Sequence, residues 1–219
     1  MKIAILSLSV LVVGLVPQLT DVDARTEAGS ISLTVSIFND AGVSQSVLSQ
    51  ARNRAIFIMR RAGVSLVWVD CGTPGNWLPN SGCTSISFPQ HLSVRLVCKA
   101  SGASDDTFGQ SFQNASGEGN YALVYFGVLA TSQAAKVVPT GDLLGFVIAH
   151  ELGHLLLGRD SHSATGLMTA VWQTAELRQA SQGHLLFTNE QQDRIRTRYL
   201  AAAGRLHKAS DQWQASTGK

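Results

Sequence analysis

The segment AHELGHLLLGRDSHSATGLM, residues 149 to 168, contains two histidines and a glutamate at a spacing that suits metal chemistry. On an α-helix, residues four apart lie on the same face, so His150 and His154 can direct two imidazoles at one ion. Imidazole is a good ligand for zinc. Glu151 is turned about 100° from His150 around the helix axis, so its carboxylate can reach a water beside the metal without being a ligand.

These residue types are those of a hydrolytic site. Zinc lowers the pKa of a bound water towards 7, and a neighbouring carboxylate can accept the proton as that water attacks a carbonyl. The surrounding residues Phe146, Val147 and Leu155 are apolar, so we expect the helix to be buried. Buried imidazoles need partners. The pattern therefore favours a metal site over two surface histidines beside an ion-pairing glutamate.

A catalytic zinc site usually has three protein ligands, and the third has three candidates downstream. His162 and Asp160 follow His154 by eight and six residues, and Glu176 follows it by twenty-two. Glu176 would need the intervening segment to form a helix at once, which Gly166 and several β-branched residues disfavour. The favoured interpretation of Glu176 is a surface residue.

The segment resembles the signature of the metzincin metalloproteases, of the matrixin or archaemetzincin type: H-E-x-x-H-x-x-G-x-x-H, then a turn with a buried methionine beneath the zinc. The resemblance is close over residues 140–175. It implies a set of roles: His150, His154 and His162 as zinc ligands, Glu151 as general base, Gly158 as the turn glycine and Met168 as the methionine of the Met-turn.

One departure from the signature concerns the loop to the third ligand. Leu157 stands where the family has glycine, and Asp160 stands where it has the ligand, so Gly158 and His162 come one and two residues late. Either the loop is lengthened and His162 binds, or Asp160 binds. Because imidazole is the commoner third ligand, we favour His162.

The resemblance implies a zinc-dependent endopeptidase that cleaves protein or peptide substrates through a zinc-activated water, with Glu151 as base. The N-terminal segment, described below, indicates that this endopeptidase is secreted. It also implies a groove at the sheet edge that binds the substrate as an added strand. The alternative is a zinc-holding domain without turnover, closed by both Asp160 and His162. Retention of Glu151 disfavours it, because a structural site needs a fourth ligand and no base. Tyr121, Tyr125 and His184 are weaker candidates for stabilising an oxyanion.

Hydrophobic periodicity predicts an α+β fold. We expect a small twisted mixed sheet with a backing helix and an active-site helix, followed by the Met-turn and a C-terminal helix. The predicted strands are 30–40, 64–70, 92–99 and 120–130, with a surface loop at 100–120. The predicted helices are one capped by Ser44, one from Thr140 to Gly158, and one over 188–203.

The N-terminal segment is typical of an export signal. Lys2 precedes a fourteen-residue apolar run, too short for a comfortable membrane span, and small residues up to Ala24 suit signal cleavage. An uncleaved anchor is the alternative. We expect a signal peptide at 1–24, a metallopeptidase domain at 25–205 and a loose tail at 206–219. The formal charge of +2 gives no indication of nucleic-acid binding, and we expect a monomer without stable membrane insertion.

The three cysteines fit an exported protein with one disulfide and one spare thiol. Cys71 and Cys83 flank a stretch rich in Gly, Pro and Asn that needs a covalent restraint. A Cys71–Cys83 bridge is therefore favoured, with Cys83–Cys98 as the competing pair.

Overall fold

The computed structural model of the protein describes residues 31–73, 76–77, 81–99 and 107–217. The segment 1–24, interpreted above as a signal peptide, lies outside these residues. Across the described ranges, no helix has both the length and the apolar character needed to cross a membrane.

Seven strands and five helices make up the described chain. The strands are β1 (Ile31–Asn39), β2 (Val64–Asp70), β3 (Gly72–Thr73), β4 (Asn76–Trp77), β5 (His91–Val97), β6 (Gly109–Phe112) and β7 (Tyr121–Tyr125). The helices are α1 (Gln45–Arg61), α2 (Phe126–Thr131), α3 (Thr140–Leu157), α4 (Thr174–Ser181) and α5 (Asn189–Thr217), with short 3-10 turns at Ser81–Cys83 and Ala134–Lys136.

The main sheet has five strands in the order β2-β1-β5-β7-β6. Neighbouring strands run parallel except β6, which is antiparallel to β7 and forms one edge. β3 and β4 form a separate antiparallel pair. The arrangement confirms the expected α+β class with a mixed sheet.

Apolar residues alternate with polar residues along β1 because one face of the sheet is buried. Ile31, Leu33, Val35 and Ile37 are all 3% exposed or less and belong to the hydrophobic core. α1 begins after its N-cap Ser44, whose hydroxyl accepts a hydrogen bond from a backbone N–H of the first turn. α1 packs against α3 and β2, and α3 also packs against β6, β7 and α5. α3 is therefore buried on nearly all sides.

Two predictions between residues 100 and 130 were wrong. The segment 100–120 was expected to be a loop, but Gly109–Phe112 forms the edge strand β6. The strand expected over 120–130 ends at Tyr125, and Phe126–Thr131 turns into the short helix α2. An apolar run without clear periodicity fits a buried helix as well as a strand, which explains the second error.

The last helix is longer than predicted. It was expected to end at 203 with a loose tail after it, but α5 continues to Thr217. Residues 201–217 contain no proline and a single glycine, Gly204, so the segment has no strong local signal that would end the helix.

The disulfide joins Cys71 to Cys83, with a Cα–Cα distance of 5.7 Å and a sequence separation of 12 residues. The third cysteine, Cys98, is an exposed free thiol. The favoured pairing is thereby confirmed. The bridge closes the irregular stretch after β2, where little regular structure holds the chain.

A glycine in α3 brings this helix close to the segment that follows it. A Cβ atom on Gly153 would lie 2.6 Å from the sulfur of Met168 and 2.7 Å from the ring of Phe187. Met168 is fully buried and lies within a turn that is closed by a hydrogen bond from the Thr169 amide to the carbonyl of Gly166. The expected methionine turn therefore lies directly against the helix that carries His150 and His154.

Replacing both Cys71 and Cys83 by alanine should lower the free energy of unfolding by about 3 kcal/mol, because a loop of this length then regains its freedom in the unfolded chain. Urea denaturation of the oxidised wild type and the double variant measures the difference. Cys98→Ala is the matched control. This variant should unfold like the wild type, because the Cys98 thiol is exposed and takes no part in a disulfide. Equal midpoints for all three proteins would contradict a stabilising role for the bridge.

Gly153→Ala should lower the free energy of unfolding by about 1–3 kcal/mol, because the new methyl overpacks the space that Met168 and Phe187 fill. Gly204→Ala in α5 is the control, since a Cβ there meets nothing within 4 Å. It should instead raise stability by up to about 1 kcal/mol through helix propensity. Thermal and urea unfolding followed by circular dichroism measure both, and equal stability of the two variants would disprove the close approach.

Candidate metal centre

Three imidazoles converge at the C-terminal half of α3. His150 and His154 lie on successive turns of the helix, and His162 reaches them from the loop that follows. One nitrogen from each ring lies within 4.8 Å of the other two, and the Nε2 atoms of His150 and His154 are 3.0 Å apart. Within the described residues, this is the group of His, Cys, Asp and Glu side chains that could hold a metal ion.

The Nδ1 atoms of the two helix histidines make hydrogen bonds away from this centre. The Nδ1 of His150 lies 2.8 Å from the carbonyl oxygen of Leu167. Because a carbonyl oxygen only accepts, this Nδ1 carries the proton, and the neutral ring presents an unprotonated Nε2 to the centre. The Nδ1 of His154 lies 2.7 Å from the hydroxyl of Ser161, and Trp172 packs edge-on against the His150 ring.

Burial keeps both helix imidazoles neutral. It is the largest of the causes that together lower the pKa of His150 to about 4; the bond to Leu167 opposes this shift, and the neighbouring His162 adds to it. Burial also lowers the pKa of His154 to about 3, with added repulsion from His150 and His162. Near pH 7 both rings therefore have free lone pairs, which is the form that binds a metal ion.

Glu151 lies beside the imidazoles and is 4% exposed. Its Oε2 atom is buried and has no hydrogen-bond partner. Burial raises the pKa of Glu151 to about 8, and a hydrogen bond from Ser111 opposes that shift. A divalent cation nearby would favour the ionised carboxylate, because opposite charge stabilises it in a low-dielectric site.

The edge strand β6 covers Glu151. A Cβ atom on Gly109 would lie 2.6 Å from the Oε1 atom of Glu151, so only a glycine lets the strand pass at this distance. Gln113, just after β6, donates its side-chain amide to the carbonyl of His154. β6 is thus attached to α3 next to Glu151 and His154.

The loop that carries His162 is held from both sides. Gly158 ends α3 with φ of +83°, and Asp160 has φ of +53°. Arg198 of α5 donates to the carbonyl of Leu156, the next-to-last residue of α3. Gln191, also of α5, donates its side-chain amide to the hydroxyl of Ser163. The last helix therefore supports the loop on either side of His162.

The other two candidates for the third ligand lie outside the group of three imidazoles. Asp160 is exposed at the turn of the loop. Glu176 lies in the first turn of α4, where its carboxylate accepts a hydrogen bond from the amide of Gln173 in a capping box. The segment before α4 is irregular, as the sequence indicated, although the helix itself was not predicted.

The candidates for oxyanion stabilisation are placed differently from one another. Tyr125 is buried, its hydroxyl donates to Gln110, and burial together with the charge of Glu151 raises its pKa. Tyr121 packs its ring against Phe112. His184 is exposed in the turn after α4. Of the three residues, Tyr125 is the one whose pKa is raised by the negative charge of Glu151.

The donor set fits zinc. Three imidazoles are a common ligand set for a catalytic zinc ion, and they leave a fourth coordination position open. The buried Oε2 of Glu151 has no hydrogen-bond partner in the protein. This oxygen is therefore available to bind a water at the open coordination position. The sequence analysis missed Ser161, the carbonyl of Leu167 and Gly109. In the sequence, Gly109 is only a glycine in a polar segment, and Ser161 is only a serine next to a histidine. Neither pattern predicts a particular contact.

Comparison with known proteins finds a similarity of fold to a solved structure. No family model and no curated protein matches the chain. Among solved structures, the archaemetzincin of Methanopyrus kandleri is similar, with a TM-score of 0.50 and 14% sequence identity. The match covers 78% of this chain and 97% of that one. The protein therefore shares the mixed α+β fold of that archaemetzincin.

Proposed function

We propose that the protein is a secreted, zinc-dependent endopeptidase of the metzincin type. The observation that carries the proposal is the convergence of three imidazole nitrogens within 4.8 Å beside a buried carboxylate oxygen that has no partner. The fold likeness to an archaemetzincin supports the same proposal. A structural zinc site is closed by a fourth ligand and needs no free carboxylate beside it.

His150, His154 and His162 are the proposed ligands. A zinc ion held by them would polarise a substrate carbonyl and lower the pKa of a coordinated water. Asp160 is exposed at the loop turn and outside the group of imidazoles, so its position does not favour the alternative of a closed, four-ligand site without turnover.

Glu151 is the proposed general base. Its buried Oε2 is free to accept a proton from the attacking water and to pass that proton to the leaving amine. Ser111 holds the carboxylate through a hydrogen bond, and β6 shields it from bulk solvent. Exclusion of water strengthens each of these electrostatic contacts.

The proposed substrate is an extended protein or peptide segment. β6 is the antiparallel edge of the sheet, it lies against α3, and its outer backbone edge can add a strand. A bound segment would run past the imidazoles, since Gly109 lies over Glu151. Main-chain hydrogen bonds to β6 would give affinity with limited demand on substrate sequence.

The proposed location is outside the cytoplasm, after cleavage following Ala24. The apolar run before that residue supports it, and so does the Cys71–Cys83 bridge, because disulfides persist in oxidising compartments. We propose that the secreted form acts as a monomer, with one complete site in each chain.

Glu151→Gln should bind zinc like the wild type and lose hydrolysis of unfolded casein by about 100- to 10,000-fold, because the amide cannot accept the proton. Residues 25–219, loaded with zinc, are assayed for released peptides, and bound zinc is measured by elemental analysis. Turnover by Glu151→Gln at the wild-type rate would rule out Glu151 as base. Absence of turnover in the wild type despite one tightly bound zinc would favour the non-catalytic alternative.

His162→Ala and Asp160→Ala separate the two candidates for the third ligand. His162→Ala should weaken zinc binding by at least about 100-fold, because a three-ligand site loses one donor. Asp160→Ala should bind zinc as the wild type does, because Asp160 is exposed outside the group of imidazoles. Competition against a fluorescent chelator measures both affinities. The reverse order of effects would assign the ligand to Asp160.

A further inference from the structure

Ser161 occupies an unusual position in the loop to the third imidazole. It is 5% exposed, although it immediately precedes the exposed His162. Its hydroxyl lies 2.7 Å from the Nδ1 of His154, on the side of the ring that faces away from the other imidazoles. Because the Ser161 hydroxyl is buried, it takes the place of a water molecule as the hydrogen-bond partner of this ring nitrogen.

The two helix histidines are held in different ways. His150 bonds to the backbone carbonyl of Leu167, a partner that no side-chain substitution removes. His154 bonds to a hydroxyl, which both donates and accepts. When the Nε2 of His154 is a ligand, its neutral ring carries the proton on Nδ1, and the oxygen of Ser161 is the acceptor placed to receive it. Such a bond fixes the ring plane and the ring nitrogen that faces the metal.

We infer that Ser161 is a positioning residue that holds His154 with its Nε2 directed at the metal. The inference rests on the proposed zinc site and adds a residue to it. Because Ser161 and His162 are adjacent, the same turn of chain orients the second ligand and delivers the third.

The test compares Ser161→Ala with Ser163→Ala in the full mature chain. Ser163 is a matched control: it is the same residue type, two positions along, and its hydroxyl bonds to the carbonyl of Thr165 and to Gln191. Removing it disturbs the loop without removing a partner of an imidazole. Zinc affinity by chelator competition and urea stability are measured for both variants.

Ser161→Ala should weaken zinc binding by about 10- to 100-fold, the usual effect of losing a hydrogen-bond partner of a ligand. Ser163→Ala should weaken it less, whatever its effect on stability. Equal zinc affinity of Ser161→Ala and the wild type would overturn the inference and leave the proposed function standing. Failure of the wild type to bind zinc would overturn both.

A second readout separates positioning from simple support of the loop. In long-range ¹H–¹⁵N spectra of the zinc-loaded wild type, the Nδ1 proton of His154 should exchange slowly with water. In Ser161→Ala it should exchange rapidly, while the Nδ1 proton of His150 stays protected by Leu167. If the wild-type His154 proton exchanges at the rate of an exposed imidazole, the inference fails, even where Ser161→Ala does not fold.

Discussion

The rest of the structure depends on one constraint: α3 is buried on nearly all sides, yet it carries two imidazoles and a carboxylate. Each polar group inside α3 needs a partner, since an unpaired buried group costs about 1–3 kcal/mol. The neighbouring segments supply these partners: the carbonyl of Leu167 for His150, the hydroxyl of Ser161 for His154, and a hydrogen bond from Ser111 for Glu151. The buried Oε2 of Glu151 has none from the protein, and it marks where chemistry can occur.

The architecture separates support from function. Parallel strands and α1 form the apolar layer against which α3 packs, and these elements contribute no side chain to the metal centre. The antiparallel edge strand β6 and the turns after α3 contact the polar face of the helix. α5 then holds the loop through Arg198 and Gln191.

The sequence predicted the parts of the molecule that depend on periodicity or on local spacing. The alternation of β1 and the limits of α3 were readable in this way, and so was the pairing of residues four apart on a helix. The burial of Met168 was instead implied by the family resemblance. β6 was not, because a four-residue strand containing Gly109 and two polar residues has no apolar alternation. The contact of Ser161 with His154 depends on the path of a loop with positive φ at Gly158 and Asp160, which spacing alone does not define.

The carbonyl of Leu167 accepts hydrogen bonds from two side chains, the imidazole of His150 and the indole of Trp172. A backbone oxygen is present whatever side chain occupies the position. Apolar replacements at 167 that fill the same buried volume therefore leave the orientation of His150 unchanged. In a mutational scan the position would report only packing, so the anchor of His150 would not be detected by any method that reads side-chain identity.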